Sequence, residues 1–385
     1  MSASFSRRLA RGIGRLLLLA YPARDFSWAR AMQHEIDQLD NDGAALVFAL
    51  GCLWGGCRQT ASTGLNWFAE GMKMKNGLWS WLLVPRNAGL AGALAATCLG
   101  ISYLLAAGAP PLYVVVNAAA FLLGAVALSG LRGIAVRAER HAGPIVLALG
   151  SCLLLTSLAG ASVAGASRWI WIGPLSVQVS LVLLPAMIVA YARHGDALGH
   201  AGIVAAAAAL ALQPDRAMAG VLAMSMAALA FARPGRSAAA AVVVTLAAFA
   251  ITLVRPDTLP AVPYVDRILF SAFEVHVFAG LAVLLGSALL LAPAAIGWGL
   301  DPARRQVYLA FAATWLGCVL AAALGNYPTP VVGYGGSAIL GYLLSISIFP
   351  ADAGAMAGSG DRAATADSDS VGISPRTRLV THPAG

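Results

Sequence analysis

The sequence Ser167-Arg168-Trp169-Ile170-Trp171-Ile172-Gly173-Pro174 opens the stretch that decides the fold, residues 167–216. It leads into an apolar run that holds Gln178 and Ser180, and a polar turn at 193–196 separates this run from a second one. Each run has about 17 residues, which at about 1.5 Å per residue brings a helix close to the thickness of a bilayer core. The stretch therefore predicts a membrane hairpin, and its second run ends at Gln213-Pro214-Asp215-Arg216.

The polar groups at the ends of this hairpin have two interpretations. Placing a charged side chain at the middle of a bilayer costs about 2.5–3.5 kcal/mol, and less near the surface. The presence of each charged residue here therefore has to be explained. In the first interpretation Trp169 and Trp171 anchor the membrane interface and Arg168 extends toward the headgroups. In the second, the same groups belong to a site. The hairpin alone leaves both open.

The composition excludes a soluble globular domain. Of 385 residues, 59% are hydrophobic and 11% are charged, and the mean hydropathy is +0.77, which is typical of a polytopic membrane protein. The net charge of +8 comes from basic residues scattered through short loops, which favours membrane topology over nucleic acid as their explanation. The five cysteines lie mostly in apolar runs, so we expect neither a disulfide framework nor a metal site.

The pattern divides the chain into three parts. Residues 1–86 are expected to be a cytosolic amphipathic prefix with an interfacial segment, 87–350 a transmembrane domain, and 351–385 a disordered cytosolic tail. The fold class predicted is all-α, a polytopic membrane bundle of about ten helices. The apolar runs begin near Ala88, Pro111, Pro144, Leu175, Ala197, Ala217, Ser237, Ala272, Gln306 and Val331.

Arginines in the short loops predict the orientation of these spans. If the amino terminus is cytosolic, eight arginines fall in inside loops and four in outside loops, as the positive-inside rule requires. Both termini are then cytosolic. The same orientation places four loops outside together: the Arg168 loop, the turn at Asp215, the loop from Arg255 to Phe270 and the turn at 326–330.

The last of these turns continues into an unusual stretch, Gly325-Asn326-Tyr327-Pro328-Thr329-Pro330-Val331-Val332-Gly333-Tyr334-Gly335-Gly336-Ser337. Two prolines and a glycine cluster at the end of a span predict non-helical backbone, which a membrane tolerates only where it is buried in protein or lines a wet cavity. A second interpretation is that the glycines simply let neighbouring helices approach closely.

Taken together, these motifs resemble the SEDS family (shape, elongation, division and sporulation), the bacterial FtsW/RodA/SpoVE group of membrane proteins. In that family an Arg-Trp-Ile loop precedes the fourth span, a Gln-Pro-Asp turn opens the sixth, and a Ser-Tyr-Gly-Gly-Ser motif opens the tenth. Here Arg168-Trp169-Ile170, Gln213-Pro214-Asp215 and Gly333-Tyr334-Gly335-Gly336-Ser337 stand in the same order, within about residues 85–350.

The resemblance implies a multi-pass protein of the bacterial cytoplasmic membrane that serves cell-wall synthesis, cell shape or division. Its implied activity is a peptidoglycan glycosyltransferase that polymerises lipid II, a lipid-linked disaccharide-pentapeptide, on the outer face, beside a class B penicillin-binding protein. Such a reaction needs a carboxylate base for the attacking hydroxyl and cationic or divalent-metal help for the pyrophosphate. The expected ligand is lipid II or a polyprenyl-pyrophosphate lipid.

On this resemblance Asp266 is the candidate base, and Arg168, Arg267 and Arg216 are expected near the pyrophosphate. The cavity would be shaped by the remaining candidate site residues: Asp215, Tyr334, Gly335, Gly336 and Ser337. The chain departs from the family where the long outer loop between spans 7 and 8, which carries the family's essential aspartate, is cut short. Asp266 is the best remaining match, and its alternative role is to neutralise Arg267 or to cap a helix.

Two other functions stay open. The chain could be a non-catalytic relative that keeps the bundle and binds a partner protein or a polyprenyl lipid, its chemistry lost with the shortened loop. A transporter with broken helices is less favoured, because the sequence contains no visible inverted repeat and the proline breaks at Pro214 and Pro330 lie at helix ends.

Overall fold

The computed structural model describes residues 5–20, 26–52, 55, 77–131, 141–159, 161–163, 166–173, 175–255 and 260–350. The chain forms two compact units: Met1–Ala88 with Ala292–Arg305, and Gly89–Leu291 with Gln306–Gly385. The expected disordered tail, 351–385, lies outside the described residues.

The first unit contains a small helical core near the amino terminus. Buried alanines and Ile36 hold together the helices Phe5–Ala20, Phe26–Gln38 and Asp42–Cys52. Arg7 is buried among them, where its guanidinium donates to the Asp42 carboxylate at 2.7 Å and to the Ile36 carbonyl at 3.0 Å. This arginine therefore caps the end of the second helix, as a cation does favourably at a helix carboxyl terminus.

The expected spans appear as helices, and the all-α polytopic membrane bundle is confirmed. Within the described residues, six helices are long and apolar enough to cross a membrane, and four shorter apolar helices complete the series. In chain order, spans 1 to 10 are Pro85–Ala106, Pro111–Gly130, Ala142–Ala159, Val179–Arg193, Ala197–Leu212, Arg216–Ala232, Arg236–Leu253, Val277–Leu300, Pro302–Leu324 and Gly336–Ser347. Large apolar side chains on span 2, such as Leu122 and Val126, face outward, as they do where a helix meets lipid.

A small antiparallel sheet between spans 3 and 4 was not expected. Its strands are Ala161–Val163, Ala166–Ile172 and Leu175–Gln178, with Trp169 opposite Gln178 and Ile172 opposite Leu175. The run that was expected to begin a span near Leu175 is thus extended through Gln178, and span 4 begins at Val179. Alternating tryptophan and isoleucine favour a strand, and Gly173, at a positive φ of 59°, makes the turn.

Spans 3 and 5 touch through their backbones. A Cβ atom built on Gly150 would lie 2.3 Å from the Gly202 carbonyl oxygen, and one built on Gly202 would lie 2.5 Å from the Val146 carbonyl oxygen. Small residues at a helix crossing allow this approach, which membrane helices use because packing rather than water drives their association.

Five connections meet at one end of the second unit, which we call the site end. They join spans 1 and 2, 3 and 4, 5 and 6, 7 and 8, and 9 and 10. Hydrogen bonds link them to one another: the Tyr264 hydroxyl lies 3.5 Å from the Ala107 carbonyl oxygen, and Arg216 donates to the Arg255 carbonyl at 2.9 Å. The loops expected to share one face of the membrane are thus brought together.

We expect Gly150→Ala to destabilise the bundle by about 1–3 kcal/mol, because the added methyl group has no room beside the backbone of span 5. Gly130→Ala is the matched control: within the part of the chain that the structure describes, no neighbouring atom lies within 4 Å of its added Cβ, so the change should be neutral or slightly stabilising. Thermal unfolding of the two purified variants in detergent makes the comparison. Equal midpoints would contradict the close crossing.

Candidate functional site

Asp215 lies at the centre of a buried polar cluster at the site end. Its side chain is completely buried and caps span 6, with the Met218 amide 3.3 Å from Oδ1. Oδ2 accepts from the Ser180 hydroxyl at 2.7 Å and from the Gln178 side-chain amide at 3.2 Å. Donors on both oxygens and a helix amino terminus offset the free-energy cost of burying a carboxylate.

Arg168 fixes the sheet to the turn that precedes Asp215. Its guanidinium is buried, donates through Nη2 to the Pro214 carbonyl, and lies with Nε 3.5 Å from the Gln213 carbonyl oxygen. The carbonyls at the end of span 5 would otherwise lack helical partners. Arg168 was expected near a pyrophosphate. Its guanidinium instead binds backbone carbonyl oxygens.

Arg216 and Arg255 cap two neighbouring helices reciprocally. The Arg216 guanidinium donates to the Arg255 carbonyl at 2.9 Å and reaches the Thr252 carbonyl at 3.4 Å, at the end of span 7. Arg255 in turn donates to the carbonyls of Ala211 and Leu212 at 3.2 and 3.1 Å, at the end of span 5. Each cation lies at a helix carboxyl terminus, where the helix dipole favours it.

The glycine-rich turn pairs with the short connection between spans 7 and 8. Thr329 donates its amide to the Val265 carbonyl at 3.0 Å, and Tyr334 donates to the Tyr264 carbonyl at 2.8 Å. Asp266 and Pro328 form an antiparallel bridge within this pairing. The non-helical backbone predicted at the start of span 10 is therefore present, and it is satisfied by a second non-helical segment.

Asp266 is half-buried at the edge of this pairing. Its Oδ2 accepts from the Val262 amide at 2.8 Å. Burial raises the pKa of the Asp266 carboxyl above its ordinary value, and the hydrogen bond from Val262 opposes the rise only in part. The next residue, Arg267, is exposed and has a positive φ of 58°. The site end thus presents a carboxyl with a raised pKa, and the next residue along the chain is an exposed arginine.

The turn also contacts the Asp215 cluster from its other side. Ser337, the second residue of span 10, accepts a hydrogen bond at 3.0 Å from the backbone amide of Gln178, whose side chain binds Asp215. Gly333 is enclosed, since a Cβ there would lie 2.3 Å from Ile268 and 3.2 Å from the Tyr264 carbonyl oxygen. Gly335 is open, since among the described residues no neighbouring atom lies within 4 Å of such a Cβ. One turn therefore joins the Asp266 loop to the Asp215 cluster and leaves part of its backbone accessible.

Two residues of span 2 that the sequence analysis passed over also contact the turn. Asn117 is completely buried and binds backbone groups of Gly333 and Gly335, and the Tyr113 ring stacks on the Tyr334 ring with centroids 3.7 Å apart. A signal was available in the sequence: an amide side chain inside an apolar run needs a polar partner, and the spacing of four puts Tyr113 on the same helix face.

Solved structures with a similar fold support this architecture. The Rod shape determining protein RodA of Thermus thermophilus matches over 68% of this chain and 94% of its own, with a TM-score of 0.50 and 22% identity. The fold is RodA-like. A variant of that RodA with one aspartate replaced by alanine gives a TM-score of 0.51 and 24% identity over the same shares.

A third match is a peptidoglycan synthase complex described as coordinating polymerization and crosslinking. It aligns with a TM-score of 0.51 and 23% identity, over 68% of this chain and 95% of the matched chain. No protein-family model matches the sequence, and no curated protein matches it. The solved structures therefore show a RodA-like fold, which is the fold that the resemblance to the SEDS family implies.

Within this RodA-like fold, the candidate residues separate into two groups. Arg168, Asp215 and Arg216 bind groups of the chain itself, as described above. Asp266 and Arg267 lie together on the loop that pairs with the turn, and Gly335 lies on the open part of that turn. Their roles toward a substrate stay predictions. In the described part of the chain, no three His, Cys, Asp or Glu side chains are grouped closely enough to hold a metal ion.

We expect Asp215→Ala to lower the free energy of unfolding by about 2–4 kcal/mol, because it removes a helix cap and leaves buried donors unpaired. Asp196→Ala is the matched control. Asp196 caps span 5 through the Gly199 amide at 2.7 Å but is exposed, so its loss should cost only about 1 kcal/mol. Denaturation of both variants in detergent measures the difference, and equal losses would contradict the buried cluster.

Proposed function

We propose that this chain is a cell-wall synthesis protein of the bacterial cytoplasmic membrane that polymerises lipid II by glycosyl transfer at the site end. The proposal is carried by one observation: the loop that pairs with the glycine-rich turn holds a half-buried carboxyl with a raised pKa, Asp266, followed directly by the exposed Arg267. The RodA-like fold supports the choice of reaction. In this proposal the site end faces outward and both termini are cytosolic.

Asp266 acts as the general base in the proposed reaction. A sugar hydroxyl of one substrate attacks the anomeric carbon of another, a new carbon–oxygen bond forms, and the bond to the lipid pyrophosphate breaks. Asp266 takes the proton of the attacking hydroxyl, while Arg267 stabilises the negative charge that develops on the departing pyrophosphate. A base whose pKa is raised toward the operating pH binds the proton better in the transition state than an ordinary carboxylate does.

The other candidate residues shape the place where the substrate lies. Tyr334, Gly335 and Gly336 form the turn, and the open side of Gly335 lets a substrate approach the backbone closely. Ser337 and Asp215 hold that turn to the sheet through Gln178. Arg168 and Arg216, whose guanidinium groups bind backbone carbonyls, contribute positive potential near the pyrophosphate rather than a direct contact.

We further propose a class B penicillin-binding protein as the partner. The support is the RodA-like chain of a peptidoglycan synthase complex described as coordinating polymerization and crosslinking. A polymerising activity and a crosslinking activity belong together because each glycan strand is the substrate of the next step.

The test is polymerisation of fluorescent lipid II by the purified protein, alone and with a class B penicillin-binding protein. Asp266→Asn should lower the rate by about 10²–10⁴-fold, because the amide keeps the shape but cannot accept the proton. The matched control is Asp301→Asn, which removes a carboxylate that pairs with Arg304 at 3.6 Å and leaves the site end unchanged. Assays with Mg²⁺ and with EDTA show whether a divalent cation assists the phosphates, which are ligands that Mg²⁺ prefers.

The pH dependence gives a separate prediction. Because burial raises the pKa of Asp266, the rate should increase with pH through a midpoint above the ordinary carboxyl value of about 4, and Asp266→Asn should abolish this limb. The raised pKa also means that the folded state favours the protonated form, so this group's contribution to stability is lost as pH rises through that pKa. Asp266→Asn should therefore leave the midpoint of thermal unfolding at about pH 7 equal or higher. A lower midpoint would contradict the direction of the shift.

A second candidate function is a non-catalytic membrane scaffold that binds a partner protein or a polyprenyl lipid. The observation that favours it is that Arg168 and Arg216 cap helices instead of facing a ligand. Complementation of a deletion strain separates the two functions. If Asp266→Asn complements while a disrupted Gly335–Gly336 turn does not, the scaffold function stands and glycosyl transfer by Asp266 is excluded.

A further inference from the structure

Asn117 clamps the glycine-rich turn from span 2. Its side-chain Nδ2 donates to the Gly333 carbonyl at 2.8 Å, and its Oδ1 accepts from the Gly335 amide at 3.1 Å. The side chain is completely buried, so water does not compete for either bond. The Asn117 carboxamide therefore fixes a backbone carbonyl and a backbone N–H that lie two residues apart on the turn.

Tyr113 extends the same clamp by one helical turn. Its ring stacks on Tyr334 at 3.7 Å with an interplanar angle of 12°, and it meets the Tyr264 ring edge-on at 6.1 Å. A backbone hydrogen bond also joins Tyr334 to Tyr264, and with it the turn to the Asp266 loop. The face of span 2 that carries Tyr113 and Asn117 thus holds both non-helical segments at once.

The turn needs such a clamp because its own sequence does not define one conformation. Pro328, Pro330 and three glycines remove backbone donors or widen the range of backbone angles. Val331 is held at a positive φ of 67°, a conformation that a β-branched residue adopts only when its surroundings impose it. Contacts from outside the turn therefore decide its shape.

We propose that Asn117 is a positioning residue of the site: its carboxamide holds the Gly333–Gly335 backbone so that the Asp266 loop and the open side of Gly335 keep a fixed relation. This inference deepens the proposed glycosyl transfer and rests on it. Asn117 itself does not touch the substrate. It acts through the turn, and a misplacement of about 1 Å at such a site can lower a rate about a hundredfold.

Two substitutions test the clamp. Asn117→Leu removes both hydrogen bonds. Asn117→Asp keeps the acceptor for the Gly335 amide, and its carboxyl can donate to the Gly333 carbonyl only while it is protonated. Asn87→Leu is the matched control, since Asn87 also lies in a span and its side chain donates at 3.0 Å to the Trp81 carbonyl.

Hydrogen exchange of peptides covering 329–337 measures how firmly Asn117 holds the turn, and it does not depend on enzymatic activity. We expect the Gly335 amide to exchange about tenfold faster or more in Asn117→Leu than in the wild type, and Asn87→Leu to leave it unchanged. The lipid II polymerisation rate of Asn117→Leu should fall about tenfold to a hundredfold. Exchange that is unchanged in Asn117→Leu overturns the proposal.

The pH dependence of Asn117→Asp separates positioning from a general loss of stability. The rate relative to wild type should be close to one at about pH 6 and fall as pH rises to about 8.5, because ionisation replaces a donor with a charge beside the Gly333 carbonyl. The titratable groups that face this part of span 2 are Tyr113, Tyr264, Tyr334 and Asp266. Burial raises the pKa of Tyr334 above its ordinary value, so that this phenol stays neutral over the range measured, and Asp266 titrates in the wild type as well, so the ratio cancels its contribution.

The outcomes separate this inference from the proposed function. If the wild type does not polymerise lipid II while exchange at Gly335 responds to Asn117→Leu, the glycosyl transfer is wrong and the clamp remains. If the wild type polymerises and exchange responds, but the rates of both Asn117 variants equal the wild-type rate at every pH, the clamp is structural only and the positioning role is overturned.

Discussion

The site end depends on one constraint: backbone groups at the ends of membrane helices must find partners where little water reaches them. Long polar side chains meet this requirement. Arg168 and Arg255 bind carbonyls at the end of span 5, and Arg216 binds carbonyls near the end of span 7. Asp215 accepts the Met218 amide in the first turn of span 6, and Asn117 binds the turn before span 10. Most of the polar residues that mark this end in the sequence therefore also hold its connections together.

This constraint limits which charges can act on a substrate. A guanidinium that satisfies two carbonyls keeps its charge, but its geometry is set by the helix end and not by a ligand. Arg168 binds the carbonyl of Pro214, the residue just before Asp215, so its position is set by the end of span 5. Asp266 and Arg267 differ from them. They lie on a connection that is satisfied by backbone pairing, so their side chains are not needed to cap a span.

The sequence predicted the spans well because their signal is strong and local. Runs of apolar residues give helices whatever their neighbours are, and the observed starts at Pro111, Ala197 and Arg216 lie within a residue of those expected. The meeting of loops at one end followed from the alternation of spans. The sheet at 161–178 was missed because its apolar strands continue directly into an apolar helix, and hydropathy does not separate the two. Arg216 and Arg255 cap each other's neighbouring helices. This arrangement depends on which helices lie side by side, and a local sequence pattern does not contain that information.

The connection between spans 7 and 8 shows how a short loop can hold a carboxyl in place. Asp266 is held by three things: the bridge to Pro328, the Val262 amide on its carboxylate, and the pairing of Tyr264 with Tyr334. Each of these uses backbone that the short connection retains. A long loop can position a carboxyl by folding on itself, whereas a short loop must be held by contacts with a neighbouring segment. Here that segment is the glycine-rich turn. Span 2 and the Asp215 cluster fix the glycine-rich turn, so the position of Asp266 is set by the bundle. The chemistry proposed for Asp266 would therefore depend on the same contacts that close this end of the membrane domain.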